Sequence, residues 1–152
     1  RRDLQVTPIL LDPNIVLRLA EERDPGHVLV AESVRRCLAS GRTPCLTAQV
    51  LVEFWVVATR PRDANGFGWE PREARLAIDG LVKRFAVLPD SAAILSAWLQ
   101  FVTDLDVRGK RAHDVRLAAV AGVNGVREIL TLNPDDFRGL ADLSPLHPAQ
   151  VV

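Results

Sequence analysis

"PILLDPNIVLRLAEE", residues 8–22, decides the fold. Ile9, Leu10 and Leu11 form a short unbroken apolar run that ends on an acid, Asp12. A run of this kind reads as a buried strand. Pro13 then stands at a favourable first helical position, so "PNIVLRLAEE" reads as a helix. Strand passes to helix with one carboxylate at the junction.

The same alternation continues along the chain. "TPCLT" (43–47), "AVLPD" (86–90) and "REILTL" (127–132) read as further short strands, and "LSPLHPAQVV" (143–152) as a tail with room for an edge strand. Between them lie helical stretches. "GHVLVAESVRRCLASG" (26–41) is stopped by Gly41, and "AQVLVEFWVVATRP" (48–61) is β-branched but long enough to favour a helix. "EPREARLAIDGLVKRF" (70–85) carries Ala74, Ile78, Leu81, Val82 and Phe85 at helical spacing. "SAAILSAWLQFVTDLD" (91–106) has Ser91 as its expected cap. "AHDVRLAAVAGVNGV" (112–126) is rich in small residues, which suit close packing. "RDANGFG", "VRGKR" and "NPDDF" read as a loop and two turns. Short apolar strands alternating with helices favour a parallel sheet covered on both faces. The expectation is an α/β protein. One domain over residues 1–152 has a central short parallel sheet of four to five strands, flanked by helices on both faces. Ligands of such sheets bind beyond the carboxyl ends of the strands, at a topological switch point.

Bulk properties narrow the classes. With 48% hydrophobic and 25% charged residues, disorder is excluded as a reading. Formal net charge is zero, so no global field advertises a polyanionic partner, although a local basic rim remains possible. Cys37 and Cys45 lack metal-type spacing, and two thiols of this kind suggest a reducing compartment. "RRDLQVTPILLD" is too short and polar for a leader or a membrane span, so a cytoplasmic protein with no membrane partner is expected.

Five acids fall where a parallel sheet would gather them. Asp12 ends the first strand, Asp135 and Asp136 follow the fourth, Asp114 opens a helix, and Glu53 sits within "VLVEFWVV". Most have ordinary alternatives. Asp12 before Pro13 also reads as a helix cap, Asp114 as a complement to the helix dipole, and Asp135–Asp136 as turn residues. Glu53 discriminates, because neither cap nor turn explains a carboxylate inside an apolar helix. Its alternative is a buried pair with Arg60 or Arg62. Clustered carboxylates raise one another's pKa, and a divalent cation removes the conflict. Oxygen donors without cysteine or paired histidines suit Mg²⁺ or Mn²⁺. Such an ion activates water and stabilises displacement at phosphorus, so the residues read as a site for phosphodiester hydrolysis.

"ILLDPNIVL", "LTAQVLVEFWVVATRP", "AHDVRLAAVA" and "ILTLNPDDF" occur in an order and spacing that resemble the PIN-domain nucleases, most closely the VapC-type ribonuclease toxins. The resemblance runs from about Ile9 to Phe137. It implies catalytic and metal-binding roles for Asp12, Glu53, Asp114 and Asp136, with Asn14, Thr131 and Asn133 in support. Many members carry an acid where this chain has Asn133. The resemblance therefore gives the fourth acid to Asp136 rather than Asp135. It also implies RNA as substrate, a cognate antitoxin and a homodimer. Separately, the helix-rich region Arg72–Phe85 is a candidate dimer or antitoxin surface. A degenerate PIN domain that binds RNA or protein without cleaving is the alternative, supported by Asn133. A haloacid-dehalogenase-type phosphatase is disfavoured, since it needs an acid where Asn14 stands.

The remaining expectations are local. Arg108, Lys110 and Arg111 precede Asp114 and are placed to grip phosphates, or form a solvated turn. Arg18 and Arg116 are candidates to neutralise the acids or to meet an antitoxin. His113 reads as structural or exposed. Trp55 and Trp98 read as core, and Trp69 as the better base-stacking candidate.

Overall fold

The computed structural model describes residues 6–152. "RRDLQ", part of the stretch read above as neither leader nor span, lies outside the described residues. No helix among the described residues is long and apolar enough to cross a membrane.

Five strands form one parallel sheet: β1 Thr7–Leu11, β2 Arg42–Thr47, β3 Ala86–Leu88, β4 Glu128–Leu130 and β5 Ser144–Leu146, in the order β3-β2-β1-β4-β5. The helices are α1 Pro13–Ala20, α2 His27–Ala39, α3 Ala48–Thr59, α4 Pro71–Arg84, α5 Ala92–Asp104 and α6 Arg111–Val123. The chain starts in the middle of the sheet, builds outward through β2 and β3, then crosses back to lay β4 on the other side of β1. The crevice beyond the carboxyl ends of β1 and β4 is therefore the switch point.

Ile9, Leu10 and Leu11 are fully buried, as are Ile129 and Leu130, because helices cover both faces. Pro44 is tolerated in β2 because β3 begins to pair only at Cys45, so its missing N–H lies outside that ladder. At the amino end of the sheet, Arg42 on β2 reaches across β1 to hold both carboxylate oxygens of Glu128 on β4, at 3.1 and 3.3 Å. This staple lies at the opposite end from the junction acids. Gly41 ends α2 at φ +85°, a left-handed stop that favours glycine. Ser91 occupies the cap position of α5 but its side chain makes no capping bond. Cys37 and Cys45 are buried and free.

Candidate active site

Asp12 leaves β1 and enters α1 with extended backbone angles, φ −68° and ψ 151°. Its carbonyl accepts from the N–H groups of Ile15 (2.9 Å) and Val16 (3.2 Å), but its side chain makes no capping bond. The capping alternative is thus set aside. Instead Oδ2 accepts the Thr131 hydroxyl at 2.7 Å. Thr131 Oγ1 in turn accepts the Asn133 N–H at 3.0 Å, so the one hydroxyl hydrogen is committed to Asp12. Asp12 is 7% exposed and Thr131 fully buried.

Glu53 corrects an expectation. α3 is apolar, but it is not engulfed. Val50, Phe54 and Ala58 form its buried face, whereas Val52 is 63% and Val56 50% exposed. Glu53 sits at the border, half-buried, and faces the crevice. Neither arginine alternative holds: Arg60 Nη2 donates to the Asn65 carbonyl at 3.2 Å, and Arg62 Nε to the Phe67 carbonyl at 3.3 Å. The acid that bears the burial is Asp12.

Asp114 projects from the first turn of α6, and Asp136 from the short turn Pro134–Asp136. Asp135 points elsewhere and pairs with Arg138. Asp12, Glu53, Asp114 and Asp136 line one open cleft of about 400 Å³ with Asn14, Asn133, Leu17, Val56 and Val57. The sequence-predicted acids converge, although they come from three helical segments and a strand end spread over more than a hundred residues.

Their electrostatics show the crowding. Burial pushes the Asp12 carboxyl from 3.8 up to about 7; the Thr131 hydrogen bond opposes this, and the charges of Asp114, Glu53 and Asp136 add to it. Asp114 is raised chiefly by burial, then by Asp136 and Glu53, against the lowering influence of Arg111 and His113. Among the described residues, no arginine or lysine forms an ion pair with these four acids. Arg18 donates to the Asn14 carbonyl (3.1 Å) and lies 3.7 Å from Asp24. Arg116 is engaged by Asp90 and Gln49. The expectation that Arg18 and Arg116 neutralise the acids is therefore not met.

Whether the donor set fits a cation follows from its chemistry. Every polar side chain lining the cleft offers oxygen, from four carboxylates and two amides, and neither cysteine nor histidine lines it. Among the described residues no three acid, cysteine or histidine side chains are grouped as a ready three-ligand set. The set fits a hard ion that keeps several waters and takes only one or two carboxylates directly, as Mg²⁺ does. It does not fit a closed zinc site.

Around the cleft, Arg108 is drawn to Asp106 at 3.0 Å, and Lys110 is exposed. Arg111 donates to the Asp136 carbonyl at 3.1 Å, so it secures the turn that carries this acid. Trp69 is corrected: it packs against Phe54 and Phe67, with ring centroids 6.2 and 5.3 Å away, and is not a free stacking platform. Trp98 Nε1 donates to the Ala112 carbonyl at 2.9 Å. Gln49 was overlooked in the sequence. Its position one helical turn before Glu53 was the available signal.

This fold, with acids at the ends of β1 and β4 and on two helices, matches the model of the PIN domain over residues 9–143, and the chain belongs to that family. Among solved structures it is similar to VapBC-1 of nontypeable Haemophilus influenzae, at 21% identity and a TM-score of 0.69, covering 94% of this chain and 99% of the other. It is also similar to VapBC2 of Rickettsia felis, solved with a DNA fragment from their promoter, at 16% identity and a TM-score of 0.68, covering 93% and 98%. VapC20 of Mycobacterium tuberculosis, a Sarcin-Ricin loop cleaving toxin, matches at 20% identity and a TM-score of 0.63, covering 90% and 99%. The sequence matched no curated protein.

Proposed function

We propose that this chain is a metal-dependent endoribonuclease, the toxin of a type II toxin–antitoxin pair. The observation that carries the reading is Asp12. It is a nearly fully buried carboxylate that neither caps its helix nor pairs with a cation among the described residues, held in a cleft with three other acids. A protein gains nothing in stability from that arrangement. Asp12, Glu53, Asp114 and Asp136 would hold Mg²⁺ or Mn²⁺. Bound there, the ion supplies an activated water and charge stabilisation at phosphorus. Thr131 fixes one oxygen of Asp12 and leaves the other free of side-chain bonds. Asn14 and Asn133 line the mouth, where their amides can meet phosphate or a bound water. Arg111 and Lys110 flank the cleft as candidates to hold the RNA backbone.

The toxin assignment rests on the likeness to VapBC structures, which also supports a protein antitoxin; the same reading gives the chain a homodimer, with α4 among the candidate partner surfaces. Two free buried thiols accord with the cytoplasm. RNA cleavage by the chain should vanish in EDTA and return with Mg²⁺ or Mn²⁺. Undiminished cleavage in excess chelator overturns the mechanism. The non-catalytic reading is favoured by Asn133 at a position often acidic in the family. It predicts no measurable Mn²⁺ binding, so a titration separates the two.

A further inference from the structure

Beside Glu53, the structure has a polar connection between two helices. Gln49 lies on α3 one turn before Glu53. Its Nε2 donates to Glu53 Oε1 at 3.3 Å and to the His113 carbonyl on α6 at 2.9 Å. Its Oε1 accepts from Arg116 Nη1 at 3.0 Å. Arg116 Nη2 lies 3.6 Å from Asp90 Oδ1. A guanidinium only donates and a carbonyl only accepts, so the amide has one permitted orientation; a flip would lose both contacts. The His113 carbonyl belongs to the residue immediately before Asp114. One side chain thus touches the Glu53 carboxylate and the backbone that carries Asp114.

We infer that Gln49 is a positioning residue, which sets the place of the Glu53 carboxylate relative to Asp114 through the contacts Arg116–Gln49–Glu53 and Gln49–His113. The inference rests on the metal-dependent reading above. It has a physical basis independent of that reading. Glu53 is half-buried on a helix whose outer neighbours, Val52 and Val56, offer it no hydrogen bond, and its side chain has three rotatable bonds. Asp12 is fixed by Thr131, and the turn bearing Asp136 is held by Arg111. Without Gln49, the Glu53 carboxylate would have no side-chain hydrogen bond among the described residues, and the backbone beside Asp114 would lose one. Repulsion from Asp12 and Asp114 would then favour rotamers that leave the cleft. Groups that orient metal-binding side chains typically contribute 10–100-fold to affinity.

The test is a double-mutant cycle on the full chain, with Mn²⁺ as probe and binding read from the electron-paramagnetic-resonance signal of the free ion. Gln49→Leu keeps the side-chain size and removes the donors. It should weaken Mn²⁺ binding about 10-fold in the wild-type background and hardly at all beside Glu53→Gln, because the two act through one carboxylate. Arg116→Met, which frees the amide to turn, should produce a smaller loss that also disappears beside Glu53→Gln. Unchanged Mn²⁺ affinity in Gln49→Leu, or an equal loss in both backgrounds, overturns the inference. A crystal structure of metal-free Gln49→Leu gives the second readout. Displacement of the Glu53 carboxylate supports the role, and an unmoved carboxylate overturns it. If the wild-type chain binds no Mn²⁺, the metal-dependent reading fails, while the crystal structure still decides whether Gln49 places Glu53.

Discussion

Asp12 has the most constrained chemistry in the molecule. Its carboxyl is raised from 3.8 to about 7 in the fold, chiefly by burial. Between those values the folded chain binds a proton that the unfolded chain has lost. Stability of the metal-free protein therefore falls as pH rises through this window, by an upper limit of ~4 kcal/mol. Asp12→Asn keeps the shape and removes the titration. Melts of the metal-free variant should be flat from pH 5 to 8 relative to wild type, and the variant should be the more stable protein at pH 8. The same change should abolish cleavage. A wild-type melting temperature that rises across this window would contradict the reading of Asp12. The Thr131 hydroxyl works in the opposite direction, lowering the Asp12 pKa. Thr131→Val should cost about 1–3 kcal/mol above pH 7, because it also strands the Asn133 N–H, and less at pH 5.

At the scale of the element, α3 serves two environments. Phe54 is fully buried beneath the helix and touches Trp69, while Glu53 faces the cleft and Val52 and Val56 face solvent. Adjacent positions should therefore respond differently. Phe54→Ala should cost about 3–5 kcal/mol in denaturant unfolding. Glu53→Gln should leave the metal-free protein as stable as wild type or slightly more so, since it removes one like charge from Asp12 and Asp114. It should nevertheless reduce, without abolishing, the stabilisation by Mn²⁺, which depends on occupancy of the native state. A Glu53→Gln protein that loses several kcal/mol yet keeps its full Mn²⁺ shift would assign Glu53 a structural role instead.

For the whole molecule the problem is charge. The chain is neutral overall, its cleft is acidic, and the proposed substrate is a polyanion. Backbone contacts must therefore come from basic residues at the rim. Arg108, Lys110 and Arg111 are not equivalent there, because Arg108 is engaged by Asp106 and Arg111 holds the Asp136 turn. Lys110→Ala should weaken RNA binding and reduce the salt slope by about 1 without altering Mn²⁺ affinity. Arg111→Ala should reduce both RNA and Mn²⁺ binding, since it also frees the turn. Salt titrations of RNA binding beside Mn²⁺ titrations check the difference; equal Mn²⁺ loss in both variants would show that the turn does not depend on Arg111.

The local sequence determined the elements and named the acids. Apolar runs such as Ile9–Leu11, the Pro13 start and the Gly41 stop are decided within a few residues, by burial and backbone geometry. The alternation they form implies a parallel sheet with its ligands at the carboxyl ends. The convergence of Asp12, Glu53, Asp114 and Asp136 followed from that, with the family pattern as guide. Only the tertiary structure decided which acid is buried. An apolar flank around Glu53 resembles a buried helix, but how deep α3 lies depends on what packs over it, and Val52 and Val56 stay exposed. Likewise, Asp12–Pro13 has the local form of a cap, and the competing Thr131 hydroxyl arrives from 119 residues away. The Arg116–Gln49–Glu53 connection was hidden for the same reason. Hydrogen bonds between helices depend on the relative placement of their axes, which side-chain periodicity along one helix does not encode.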